Sequence, residues 1–210
     1  CAFPVSEGMV VRTNTAAVRE ARRTTVELML SRHTENCLTC DRNLNCELQD
    51  IAQHLGIREV SFAREPFNIP IDESTPSIIR DMNKCVLCRR CVDVCQEIQT
   101  LAVLSPINRG SETVMSTPLG RQLAEVACAL CGQCLLVCPT GAIREKDETY
   151  KVWEALDDPH KHVIVQTAPA IRVSIGEEMG LPPGQISTGK LVSALRRLGF
   201  NKVFDTCFTA

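Results

Sequence analysis

Aromatic side chains are scarce in this 210-residue sequence, at 4% with one Trp and one Tyr, which excludes a core organised around stacked rings. Long apolar runs are missing as well. None approaches the roughly 20 residues that a bilayer-spanning helix needs, so no helical membrane span is expected. Charge of one sign is also lacking: 23 Lys and Arg against 25 Asp and Glu leave a formal net charge of -2. That balance excludes the basic footprint required to hold nucleic acid or an anionic membrane surface. No apolar leader run is present, and cytoplasmic placement is the corresponding expectation.

What is abundant is cysteine, with 13 residues. Eight fall into two runs, Cys85-x2-Cys88-x2-Cys91-x3-Cys95 and Cys128-x2-Cys131-x2-Cys134-x3-Cys138, the second followed by Pro139. This spacing is the one by which bacterial ferredoxins hold two 4Fe-4S clusters, the fourth cysteine of each run reaching the other run's cluster. One cluster is therefore assigned to Cys85, Cys88, Cys91 and Cys138, and the other to Cys128, Cys131, Cys134 and Cys95. Two bland alternatives compete. Zinc usually takes two ligands from each of two separated pairs, and three evenly spaced cysteines plus a fourth exceed what a tetrahedral ion needs. Disulfides need an oxidising compartment, and this length and spacing match no small secreted scaffold.

Upstream, His33-x3-Cys37-x2-Cys40-x5-Cys46 offers one imidazole and three thiolates within fourteen residues. The set can close a third 4Fe-4S cluster, whose neutral imidazole lowers the negative charge of the site and raises its potential relative to an all-cysteine set. A Cys3His zinc site is the alternative on local spacing. Three clusters need twelve ligands, and His33 with eleven cysteines supplies them, leaving Cys1 and Cys207. His54, His160 and His162 lie outside any ligand spacing and are expected at the surface or in packing.

The expected fold class is α+β, with small iron-sulfur modules followed by the beginning of an α/β catalytic domain. A helix capped by Asn14 or Thr15 should run to about Arg32, with Val18, Ala21, Thr25, Leu28 and Met29 on its apolar side. A second should run from Glu47 to Leu55 and stop at Gly56. Residues 57 to 80, with Pro66, Pro70 and Pro76, read as an extended connector. Short helices should follow the cysteine loops, over Val92 to Thr100 and Leu135 to Val137. Beyond Tyr150 the texture changes: VIVQTA (163–168) and KVFD (202–205) read as strands, and Ala170 to Met179 and Lys190 to Leu198 as helices. The stretch around Ser187-Thr-Gly-Lys190 is rejected as a phosphate loop because no Ser or Thr follows Lys190.

The order HxxxCxxCxxxxxC, paired CxxCxxCxxxC runs, then His162-VIVQTAPAIRVSIGEEMG and LVSALRRLGFNKVFDT, resembles the multi-cluster iron-only (FeFe) hydrogenases, in particular the large subunits of cytoplasmic NAD(P)-linked enzymes. The cluster motifs alone are shared with formate dehydrogenase and complex I subunits; residues 162 to 206 carry the specific part of the likeness. The resemblance implies the following organisation: 1–13, remnant of an N-terminal 2Fe-2S domain with Cys1 as its fourth ligand; 14–75, a His/Cys3 4Fe-4S domain; 76–150, a ferredoxin-like domain with two 4Fe-4S clusters; and 151–210, the start of the catalytic domain. It also implies that the loops binding the two-iron H-cluster lie beyond Ala210, so the sequence is expected to be part of a longer chain. Cys207 stands where the family usually has Asn and is given no ligand role. The implied activity is the reversible interconversion of protons and electrons with H2, with this stretch as the electron-relay arm. Its implied partners are flavin- and iron-sulfur-containing subunits that oxidise NAD(P)H, and ferredoxin, in a hetero-oligomer. The alternatives are the arm of an NAD-linked formate dehydrogenase and a free polyferredoxin, both weakened by residues 162 to 206.

Overall fold

The computed structural model describes residues 3–34 and 36–209, and it divides into two compact units, Cys1–Lys146 and Asp147–Ala210. Cys1, the expected 2Fe-2S ligand, lies outside the described residues. Among these residues no helix is long and apolar enough to cross a membrane.

The first unit opens with helix α1 (Ala16–Arg32), whose first turn is closed by the Thr15 hydroxyl accepting from the Val18 N–H at 3.3 Å. Its buried side differs from the expected one. Val26, Glu27 and Ser31 are buried, whereas Leu28 is 48% exposed. The inward face follows Val26, which clusters with Cys46 and with Leu48 of helix α2 (Glu47–His54). Val18, Ala21 and Thr25 instead border an open groove between the two helices. Glu27 is tolerated inside because Arg23 donates to it at 2.9 Å and the Ser61 N–H at 3.2 Å.

The connector is less loose than its prolines suggest. From Ile69 onward it is fastened: the Asn83 side chain accepts from the Ile69 N–H and donates to the Ile69 carbonyl, and Asp72 bridges to Arg80 through the backbone. Strand β1 (Ile78–Arg80) follows, then helix α3 (Arg90–Asp93), which widens into a π-type turn over Val94–Ile98. The hairpin of β2 (Ser105–Ile107) and β3 (Val114–Ser116), helix α4 (Gln133–Leu136) and strand β4 (Ile143–Glu145) complete the unit. Strand β1 pairs antiparallel with β4, Ile78 opposite Glu145 and Arg80 opposite Ile143, so the chain closes on itself around the two cysteine runs. The core inside includes Ile78, Met82, Val92, Leu104, Met115 and Ile143 together with Cys91 and Cys138.

The second unit begins with helix α5 (Thr149–Asp157), which no sequence pattern predicts. Strands β5 (Ile164–Thr167) and β6 (Lys202–Asp205) pair in parallel, with Ile164 opposite Lys202, and helices α6 (Ile171–Glu178) and α7 (Thr188–Arg197) form the crossover that parallel pairing requires. A short helix α8 (Thr206–Thr209) follows. Gly184 and Lys190 lie between and within helices, without the preceding strand that a phosphate loop needs.

Candidate metal centres

His33 ends α1, its N–H donating to the Leu30 carbonyl at 3.1 Å. Cys37 and Cys40 bracket a single 3-10 turn, Cys40 N–H donating to Cys37 O, and Cys46 precedes α2 with its carbonyl accepting from the Asp50 N–H. These short local structures point all four predicted donors into one cavity of about 380 Å³, which His33, Cys37, Cys40 and Cys46 line together. Gly141 forms part of its far wall. A Cβ there would lie 2.9 Å from the Cys40 sulfur, so the ferredoxin-like part approaches this ligand as closely as a backbone can.

The two runs repeat each other down to backbone angles. Leu87 and Leu130, each second after the first cysteine, have φ of 56° and 51°, and Arg89 and Gly132, each following the second cysteine, have 67° and 74°. Left-handed conformations cost a non-glycine residue of the order of 1–2 kcal/mol and persist where the surroundings fix them. What they achieve is a loop that folds its amides back on the sulfur: the Leu87 N–H lies 3.4 Å from Cys85 Sγ and the Leu130 N–H 3.4 Å from Cys128 Sγ.

Cys85, Cys88, Cys91 and Cys138 line one cavity. Cys95, Cys128, Cys131 and Cys134 line another. The fourth cysteine of each run thus lies with the other run's three. The π-type turn carries Cys95 out of its own loop, the Leu101 and Ala102 N–H groups both donating to its carbonyl. Electrostatics follows the same grouping in its larger contributions. Burial pushes Cys134 up to about 11, with Cys128, Cys131 and Cys95 as the like charges that add to it. Burial pushes Cys85 up to about 11 against the Leu87 N–H, which lowers it, and Cys138 and Cys88 raise it further. Cys91 rises to about 12 through burial first, then Cys85, Cys138 and Cys88 of its own cavity, and last Cys134 of the other. Such burial favours the protonated thiols, and positive charge bound among them, as from iron, would be needed to hold them as thiolates.

Thiolate-rich sets of four, amides directed at sulfur and an apolar surround fit 4Fe-4S clusters. Among the described residues no three His, Cys, Asp or Glu side chains converge on a single-ion site; the donors surround cavities instead. Cys207 is exposed in α8, away from every donor set of the first unit in sequence, and His54, His160 and His162 are exposed.

The His33 site and the Cys138 site are joined directly. Arg42 of the first cavity donates to the Cys138 carbonyl at 2.9 Å, and the Glu47 N–H, next to Cys46, donates to the Pro139 carbonyl at 3.1 Å. Outside these bonds a two-pronged ion pair joins Glu47 to Arg90 at 2.6 and 2.8 Å. Sequence spacing gave no hint of these contacts, because they join segments 43 to 96 residues apart.

Residues 22–61 match the NADH-ubiquinone oxidoreductase-G iron-sulfur binding region, residues 75–144 the ferredoxin-like domain of NADH-quinone oxidoreductase subunit 3, and residues 161–210 the C-terminal domain of the iron-only hydrogenase large subunit. Among curated relatives, the NADP-reducing hydrogenase subunit HndD of Solidesulfovibrio fructosivorans is 49% identical across all of this chain. Along its whole length the chain is thus similar to hydrogenase subunits. Iron hydrogenase 1 of Clostridium pasteurianum is 36% identical, again across all of the chain. The chain spans 36% and 37% of the length of these two hydrogenase relatives. A solved NAD+-reducing [NiFe]-hydrogenase in its H2-reduced state superposes with a TM-score of 0.66 at 26% identity, covering 70% of this chain and 63% of that one. The first two models describe an iron-sulfur binding region and a ferredoxin-like domain of NADH-quinone oxidoreductases, and the third describes the hydrogenase large subunit.

Proposed function

We propose that this stretch is the electron-relay arm of an iron-only hydrogenase, holding three 4Fe-4S clusters on His33, Cys37, Cys40 and Cys46; on Cys85, Cys88, Cys91 and Cys138; and on Cys128, Cys131, Cys134 and Cys95. The observation that carries the proposal is the grouping of these twelve donors into three cavities, four to each, within one compact unit. Clusters bound there supply one-electron transfer. The chain's own part is to hold them at fixed separation, to keep water off them with Val92, Val103 and Leu104, and to bridge them with hydrogen bonds. The bonds from Arg42 and Glu47 place the His33 set against the Cys138 side of the pair. This supports entry of electrons at His33, passage through the Cys85 set and then the Cys128 set, and delivery toward a two-iron H-cluster held by other residues of the complete enzyme.

The reaction of the complete enzyme would be reversible H2 formation, drawing on flavin- and iron-sulfur-containing subunits that oxidise NAD(P)H, with ferredoxin as a second source, in a cytoplasmic hetero-oligomer. Cys1 is proposed as the last ligand of a preceding 2Fe-2S cluster. Deleting residues 1–75 from the complete enzyme should slow electron exchange with its nucleotide-oxidising partner by at least about tenfold, while H2 evolution from a strong artificial reductant stays within about twofold. Loss of the artificial-donor activity in protein that retains its other clusters would overturn the proposed order.

A further inference from the structure

Strand β1 carries a cation into the apolar core between the two cysteine runs. Arg80 is 5% exposed, and it lines the cavity of Cys95, Cys128, Cys131 and Cys134. Its guanidinium is only partly satisfied. One nitrogen lies 3.4 Å from Asp72 Oδ2, another donates to the Met115 carbonyl at 3.2 Å, and the buried Nε has no hydrogen-bond partner among the described residues.

Asp72 does not cancel this charge locally. Its Oδ2 also accepts from the Leu123 N–H at 2.8 Å, and its Oδ1 accepts from the Ser74 N–H at 3.1 Å and the Ser74 hydroxyl at 2.6 Å. A pair built for stability would use the planar fork of arginine against both carboxylate oxygens. Here a single long contact leaves the rest of the guanidinium facing elsewhere. Burial disfavours its charge, and what favours it besides Asp72 is the thiolate of Cys91, Cys134 and Cys128, drawn from both runs. The side chain keeps its proton throughout the accessible pH range, so its field is constant.

We propose that Arg80 sets the reduction potentials of the ferredoxin-like pair, most strongly that of the cluster at Cys95, Cys128, Cys131 and Cys134, with Asp72 opposing it from the far side. The inference rests on the ligand reading above. Each added electron makes a cluster more negative, and a fixed cation beside it in a medium of low polarity favours the reduced form. Arg80 therefore raises the potential, and Asp72 lowers it.

The test is an EPR-monitored redox titration of the cluster-loaded protein and of Arg80→Gln, Arg80→Lys and Asp72→Asn, after iron and acid-labile sulfide have been measured on each. In Arg80→Gln the oxidised-to-reduced ratio of at least one couple of the pair should rise about tenfold at a fixed potential, a downward shift of about 59 mV for a one-electron couple. Arg80→Lys should stay near the parent, and Asp72→Asn should move the same couple upward. The His33 couple, whose cavity Arg80 does not line, should not move in any variant. Unmoved couples in loaded Arg80→Gln protein would overturn the proposal. If that variant does not fold, Asp72→Asn decides, and an unchanged or lowered potential there overturns it equally. Wild-type protein that binds no cluster at the paired runs would instead sink the ligand reading, and this inference with it.

Discussion

The two units of this chain solve the problem of a small core in opposite ways. In Cys1–Lys146 the strands are three residues long, and the buried cluster includes Cys91 and Cys138 among its apolar members. In Asp147–Ala210 no cluster ligand is assigned, the parallel strands are four residues long, and Leu191 is the one buried large hydrophobic residue among those described. Trp153, Ile164, Met179, Ile186 and Phe208 all remain more than half exposed. With clusters bound as proposed, ligation would tie the first unit together, so its secondary structure can be slight. The second depends on ordinary apolar packing.

That contrast can be broken most directly by taking the metal away. Loaded protein should contain about twelve irons and twelve acid-labile sulfides, and their removal by chelator should abolish amide-exchange protection across residues 16–146 while leaving β5, β6 and α7 nearly as protected as before. Equal loss in both units would show that they are one cooperative system. Zinc with iron near eight would remove the His33 set from the relay.

A smaller but still discrete effect is expected from Cys95→Ala. Because the π-type turn directs Cys95 into the cavity of the second run, this change should eliminate the EPR signal of the cluster at Cys128, Cys131 and Cys134 and spare that at Cys85, Cys88 and Cys91. The opposite pattern would mean that each run closes its own cluster.

His33→Cys should retain a cluster and change only its potential. A fourth thiolate adds negative charge, so the couple should become harder to reduce, by roughly tenfold or more in the oxidised-to-reduced ratio. An unchanged or raised potential in a redox titration would defeat the charge argument. Least affected should be Arg90→Ala, which removes the two-pronged contact to Glu47. Both partners are about half exposed, so chemical denaturation should register a loss of only about 0.2–1 kcal/mol.

The residues that line the three cavities were legible in the sequence because they recur at spacings of three to six residues, within the reach of one turn or loop. The limits of α1, α2, β5, β6, α6 and α7 were legible within one or two residues, since each carries several apolar repeats or a cap such as Thr15. What escaped was non-local. A three-residue strand such as Ile78–Arg80 has too few positions to display alternation, and its partner lies beyond both cysteine runs. Helix α5 escaped because its exposed Tyr150, Val152 and Trp153 give no clear buried stripe. The burial of Arg80, Asp81 and Lys84 ran against their hydrophilic character, although their pairing, Arg80 with Asp72 and Lys84 with Asp81, is close in sequence. On α1 the apolar repeat Val18-Ala21-Thr25 proved to line the open groove, whereas the polar Glu27 went inside on the strength of its hydrogen bonds.

The pairing of β1 with β4 has a consequence for how the protein is made. Cys85, Cys88 and Cys91 leave the ribosome well before Cys138, and before the strand at Ile143–Glu145 that pins β1. At about 5–20 residues per second, the interval between Cys91 and Cys138 lasts on the order of a few seconds. During it three thiols wait without their fourth companion or their enclosing wall. The His33 cavity waits as long, since its Gly141 wall and the carbonyls of Cys138 and Pro139 arrive with the same late segment. Neither of these two sites can therefore be finished during early synthesis. Insertion of iron should follow completion of the first 146 residues, and a nascent chain stalled before Cys138 should remain open to oxidants that the finished protein excludes.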